Sequence, residues 1–224
     1  MTKPDSSETT QLRRPPRKRN PEESRRRILD AAETAFAKRG YDGARLRDIA
    51  QEAGVHHALV HHYYGDKRGL FQEVLKRGLD RISDATGDVL THDKDADAMV
   101  SGVVAAVFDF FAGNRNLLRI IEGAFRDRAS VSFEVASGTL GTLALPLFGK
   151  IRETIAAAQR SGKVRQDVPP ETMMLSAFSM IVYPFLMGAG LAGALGLARE
   201  NQEAALAQAK ANIIKLTVSA FHNK

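Results

Sequence analysis

Apolar side chains recur along most of this chain at i, i+3, i+4 and i+7, the spacing that lays one apolar stripe along an α-helix. Ile28, Leu29, Ala32 and Phe36 make the first stripe. It follows Pro21, which suits a first helical turn, and Glu22 and Glu23, which complement the helix dipole; Gly40 ends it. In RLRDIAQEAGVHHALVHHYYGDK, from Arg45 to Lys67, the positions Ile49, Ala50, Ala53, Val55, Val60 and Tyr63 turn one face of two short helices inward, and Gly54 falls where the chain must reverse. That is the plan of a helix-turn-helix. Ala50 is small enough for two helices to cross closely. His56, His57, Ala58, Leu59, His61 and His62 are left outward on the second helix, where they can meet base edges and phosphates.

Downstream, Gly65 and Asp66 break the pattern, and Asp66 is placed to cap a long helix from Lys67 through Leu70, Val74, Leu75, Leu79 and Ile82 toward Leu90. The polar THDKDAD stretch marks the next joint. Helices are then predicted from about Ala96 to Phe111, Asn116 to Arg126, Leu140 to Arg160, Glu171 to Met187 and Gln202 to Phe221. Gly113, the Ser130 to Gly138 region, SGKVRQDVPP and GAGLAGALG separate them. Period-two alternation shows only around VSFEV, so the chain reads as all-α. An arm over 1–20, a helix-turn-helix module over 21–66 and a larger helical domain over 67–224 make up the predicted organisation.

Composition narrows the partners. At 224 residues and 44% hydrophobic the chain can bury one substantial core, or one core and a small module. A net charge of +6 and a pI near 9.7 favour a polyanionic partner. With no cysteine there are no disulfides or thiolate metal sites, which fits a reducing cytoplasm, and the first twenty residues hold no apolar run for a signal peptide. Within them Arg13, Arg14, Arg17, Lys18 and Arg19 crowd around Pro15 and Pro16, a composition that cannot fold alone. Such an arm either tethers DNA, through phosphates or an AT-rich minor groove, or is a solvated tail.

From Ser24 to Leu75, on the segments ILDAAETAFAKRGYDG, LRDIAQEAGV and HHYYGDKRGLF, the chain resembles the TetR family of one-component transcriptional repressors. The resemblance implies DNA contacts from Arg45, Arg47, His56, His57, Leu59, His61, His62 and Lys67, and a remaining helical domain that dimerises and binds a small ligand. This chain departs from the family pattern at Ala44 and Arg45, where members often carry hydroxyl residues that cap the second helix. Leu59 and His61 stand at frequent Thr and Tyr positions.

Other chemistries find less support. His57 and His61 share a helical face at a chelating spacing, yet no acidic or cysteine ligand accompanies them, and no resident metal or cofactor is expected. GAGLAG, with Gly188, Gly190 and Gly193, matches a dinucleotide fingerprint, but Pro184 interrupts the strand it would need. No charge occurs from Thr172 to Ala198, a span long enough for a bilayer, but Pro184 and glycines divide it and amphipathic helices precede it, so no membrane partner is expected. No nucleophile elbow, zinc-protease motif or P-loop is present, so an enzyme is not expected.

Met99, Phe108, Phe111, Phe125, Phe148, Met174, Phe178, Tyr183 and Phe185 fall on apolar stripes of the downstream half, where aromatics and methionines build either core or a pocket for a hydrophobic molecule. Phe108, Phe111, Phe125, Phe148, Met174, Phe178 and Tyr183 are the candidate ligand contacts. A homodimer is expected through the two C-terminal helices, with Leu206, Ile213, Leu216 and Ala220 on the last and Met174, Phe178, Ile181 and Phe185 on the one before. These features together predict a dimeric repressor that binds palindromic double-stranded operator DNA and is released by a hydrophobic small-molecule effector. A hydrophobic-ligand carrier and a membrane-associated helical protein are the rival readings.

Overall fold

The computed structural model describes residues 20–90, 96–186, 194 and 202–222. Ten α-helices span the described residues, and none of these residues lies in a β-strand. They are α1 (Pro21–Gly43), α2 (Leu46–Glu52), α3 (His57–Tyr64), α4 (Lys67–Leu90), α5 (Ala96–Gly113), α6 (Arg115–Phe125), α7 (Val131–Leu143), α8 (Leu145–Arg160), α9 (Pro170–Leu186) and α10 (Gln202–Phe221). The basic arm and the GAGLAG segment lie outside the described residues, as does most of the THDKDAD joint.

Local chemistry sets the helix ends. Asn20 Oδ1 accepts the Glu22 N–H at 3.1 Å ahead of Pro21, and Gly40, at φ +69°, bends α1 before its last short turn. Asp66 caps α4 by accepting the Gly69 N–H at 2.8 Å. Gly69 itself is required there, because a Cβ would overlap the backbone carbonyl oxygen of Tyr64. Arg45 begins α2 with no side-chain cap, as the missing hydroxyl residue implies.

One predicted boundary is corrected. The Ser130 to Gly138 region is a helix: Ser130 Oγ accepts the Phe133 N–H at 3.1 Å, and α7 buries Val135 and Ala136 while packing against α4. Gly138 and Gly141 lower its intrinsic propensity, and tertiary burial overrides them. The predicted helix from Leu140 is therefore divided at Ala144, with Pro146 in the first turn of α8.

A single buried cluster runs from Ile28, Phe36, Ile49 and Val60 through Leu70, Phe71 and Val74 into Phe108, Leu117 and Ile155. The two halves are thus not separate cores. Helix α1 lies across α6 and α4, and where α4 meets α6 a Cβ on Gly78 would stand 2.5 Å from a Leu117 methyl carbon. Arg77 reaches Asp30 and Glu33 at 2.6 Å each, and Arg81 reaches Glu33 at 3.1 Å, so two guanidinium groups of α4 hold one buried carboxylate of α1.

Two glycines of α4 make opposite demands. Gly69→Ala is expected to lower stability by about 1 to 3 kcal/mol, since the obstructing atom is backbone. Gly87→Ala, with open space at its Cβ, is expected to raise it by up to about 1 kcal/mol through helix propensity. Denaturant melts of the two variants beside the parent measure both signs.

Candidate functional site

Helices α2 and α3 meet around Ile49, Ala50, Ala53 and Val60, all buried, with Gly54 at φ +63° in the turn between them. Helix α3 is tied to α1 by neighbouring tyrosines. The Tyr64 hydroxyl donates to the Arg25 carbonyl at 3.1 Å, and the Arg25 guanidinium lies 5.0 Å over the Tyr63 ring. Burial pushes the Tyr64 phenol up to about 12 from its ordinary 10.0.

Inward anchoring of α3 turns the opposite face to solvent. His56, His57, Ala58, His61 and His62 are exposed, and Leu59 is half-buried. His56 caps α3, its Nδ1 accepting the Ala58 N–H at 3.3 Å, so in the neutral ring the proton sits on Nε2 and a donor faces outward. His61 is the reverse. Its Nδ1 lies 2.7 Å from the Gly65 carbonyl oxygen and must donate to it, which leaves Nε2 as an acceptor in the neutral ring and a donor once protonated. The His57 and His61 rings meet edge to face at 4.6 Å, and no cluster of three metal-ligating side chains occurs among the described residues.

On α2, which packs against α3, Arg45 at the N-cap and Arg47 in the first turn are both exposed, with no ion-pair partner among the described residues. Lys67 differs from expectation. Its ammonium donates to the Asp42 carbonyl at 3.0 Å and lies 4.7 Å over the Tyr41 ring, and burial lowers its pKa. The α1–α4 junction already holds this charge, so Lys67 positions the module and is not presented outward like the two arginines.

The second feature is an apolar cavity of about 140 Å³ bounded by α4 to α10. Phe111, Phe148, Met174 and Phe178 line it, and the Phe178 ring meets Phe111 and Phe148 edge to face at 6.2 and 6.3 Å. Three other predicted ligand contacts do not. Phe108 is buried behind the wall against Phe185, at 4.8 Å between ring centres. Phe125 ends α6 one turn beyond Ile121, the last residue of that helix to reach the cavity; it is 43% exposed and meets Phe133 edge to face. Tyr183 lies two residues past Ile181, nearly opposite on the helix, and is 46% exposed. The sequence reading missed Ile151 of α8 and Val100, Val104 and Val107 of α5, although α5 carries its three valines at helical spacing.

The predicted dimer stripe is also corrected in part. Met174, Phe178 and Ile181 line the cavity and Phe185 packs on Phe108, so this side of α9 completes the chain's own interior. Leu175, Tyr183 and Leu186 of α9 and Leu216 of α10 are the large apolar side chains that stand exposed there. Among the described residues no single helix is long and apolar enough to cross a membrane.

Residues 28–74 match the family model described as bacterial regulatory proteins, tetR family. An HTH-type transcriptional repressor of Streptomyces coelicolor is 30% identical over 204 residues, covering 84% of this chain and 95% of the relative. The HTH-type transcriptional repressor NicS of Pseudomonas putida is 26% identical over 145 residues, covering 65% and 68%. Among solved structures, the transcriptional regulator FadR of Bacillus subtilis in complex with stearoyl-CoA superposes with a TM-score of 0.69 at 17% identity, over 88% of this chain and all of that one. The regulator PfmR of Thermus thermophilus gives 0.67 at 19%, over 89% and 98%. At these identities the superpositions establish the fold.

Tyr64→Phe isolates the tie between α3 and α1. A phenol whose pKa is raised in the folded state stabilises fully below pH 10 and loses that contribution as pH climbs toward about 12. The variant is expected to lose about 1 kcal/mol near neutral pH, the worth of one hydrogen bond. Its melting temperature should also fall less steeply than the parent's above pH 10, as a pH series of thermal melts records.

Proposed function

This chain belongs to the TetR family of bacterial regulatory proteins, and we propose that it is a ligand-responsive repressor that binds operator DNA as a dimer in the cytoplasm and leaves it when a hydrophobic small molecule fills the cavity. One observation carries the DNA reading. The outward face of α3 bears hydrogen-bonding imidazoles, and the adjoining α2 exposes Arg45 and Arg47, whose charges are not engaged by carboxylates among the described residues. Imidazole donors and acceptors suit base edges in the major groove, and guanidinium groups beside them suit phosphates. The proposed contacts are Arg45, Arg47, His56, His57, Leu59, His61 and His62, with Lys67 holding the module in place. The repressors of Streptomyces coelicolor and Pseudomonas putida to which the chain is similar support the regulatory role.

The effector reading rests on the cavity, which has an apolar lining, no charged side chain among the described residues and a volume suited to a small molecule. Helix α4 begins at the DNA module and lines the cavity with Leu79, Ile82 and Thr86, and Leu117 touches both the cavity and Gly78. A ligand that displaces Leu117 therefore presses on α4, and a coupling of about 1 to 3 kcal/mol changes DNA affinity by about 5- to 150-fold. The dimer would form on Leu175, Tyr183 and Leu186 of α9 with Leu216 of α10, an exposed apolar face on adjoining helices.

Footprinting on the DNA flanking the chain's own gene, with and without candidate effectors, tests the reading as a whole. Arg47→Ala is expected to weaken binding uniformly across operator variants and to reduce the slope of log affinity against log salt by about one, as loss of one phosphate contact does. An unchanged slope would remove Arg47 from the interface.

The dimer face has its own test. Leu175→Glu together with Leu216→Glu places charge on an apolar surface while leaving the interior intact, so sedimentation velocity should show a folded monomer. A dimer persisting at micromolar concentration would move the interface elsewhere.

A further inference from the structure

The cavity holds one polar group that nothing among the described residues satisfies. Of the 24 described residues that line it none is charged, and among them Thr86, Thr154 and Thr217 alone carry hydroxyls. Thr86 donates to the Ile82 carbonyl at 2.9 Å and Thr154 to the Lys150 carbonyl at 2.8 Å, each back-bonding to the residue four earlier in its own helix. Thr34 and Thr142 do the same. Thr217 does not. It is 1% exposed, and its buried Oγ1 has no hydrogen-bond partner among the described residues, although the Ile213 carbonyl is the acceptor that the other threonines would choose. An unpaired hydroxyl in an apolar wall is unfavourable, and a water would find too few partners beside it to be held well.

We propose that Thr217 is the polar recognition point of this cavity and that the effector is a neutral molecule about the size of one six-membered ring, carrying a single oxygen that pairs with the Thr217 hydroxyl. The proposal rests on the cavity being the effector site and adds which chemistry it selects. Size follows from the volume of about 140 Å³, since an apolar cavity of about 150 Å³ accepts benzene. Neutrality follows from the lining, because a carboxylate or ammonium would lose its hydration and find no opposite charge. The oxygen follows from Thr217, whose hydroxyl donates to a carbonyl, ether or hydroxyl oxygen and accepts from a hydroxyl.

Phenol, toluene and benzoate separate these terms, because phenol and toluene differ only in the polar group and benzoate adds a charge. Each is titrated calorimetrically into the full-length protein, its Thr217→Val variant and its Thr217→Ser variant at neutral pH. Phenol and toluene should both bind the parent, and benzoate should not. Thr217→Val should lower phenol affinity about tenfold, the worth of one buried hydrogen bond, and leave toluene unchanged, while Thr217→Ser should keep the phenol affinity. The valine variant removes an unsatisfied group and should melt at or above the parent temperature; Thr217→Ala gives the same readout if valine fails to fold. Toluene bound by all variants with phenol indifferent to residue 217 overturns the role of Thr217 and leaves the cavity as the effector site. Benzoate binding as tightly as phenol overturns the neutral ligand class. Failure of both toluene and phenol to bind overturns the proposal together with the cavity reading.

Discussion

The joint between the two halves of the molecule depends on one carboxylate. Glu33 is buried on α1, where an unpaired charge would be strongly destabilising, and it is held there by Arg77 and Arg81 of α4. Such a cluster adds little net stability over an apolar contact, but it is intolerant of rearrangement, because sliding α1 along α4 leaves a charge unpaired in a dry place. The clamp fixes the angle between the helix that supports the helix-turn-helix and the helix that enters the cavity wall. Asp30, on the exposed side of the same arginine, adds a second bond from α1.

With that angle fixed, Leu117 becomes the place where the halves communicate. It is buried, it lines the cavity, and its methyl groups fill the space left by the absent side chain of Gly78. A ligand that fills the cavity packs against this part of the wall, which is also the bearing surface of α4. A cavity of this size in a continuous apolar core is an adjustable volume between packed helices, and close packing transmits small displacements instead of absorbing them.

The helix-turn-helix was the most legible part of the chain because its constraints are local: a glycine in the turn, small residues at the crossing and a capping aspartate all act within a few residues of one another. Helix α7 was hidden because Gly138, Gly141 and the alternating VSFEV segment carry weak local signals, and its helicity comes from packing on α4. The aromatic positions were legible as apolar but not as to which way they point. Phe178 and Met174 reach the cavity, whereas Tyr183, a few residues on, faces out by helix geometry alone. Lys67 looked like an outward cation until Asp42 and Tyr41, distant in sequence, proved to hold it. Thr217 carries no sequence signal, since only the missing back-bond distinguishes it from other helical threonines.

The slot at Gly69 gives the long helix a mechanical property. The α3–α4 corner is closed by the Asp66 cap and by a backbone approach too tight for any side chain, so α3 is carried with α4 and does not swing on its own. From Gly78, where Leu117 bears on the helix, to Lys67 at its start there are eleven residues, a lever arm of about 16 Å at about 1.5 Å per residue. A tilt of about 10° around that fulcrum swings the corner by about 3 Å, nearly the rise of about 3.4 Å between successive bases of a DNA strand. The fulcrum thus sets a gear ratio by which a modest rotation beside the cavity advances α3 by close to one base step.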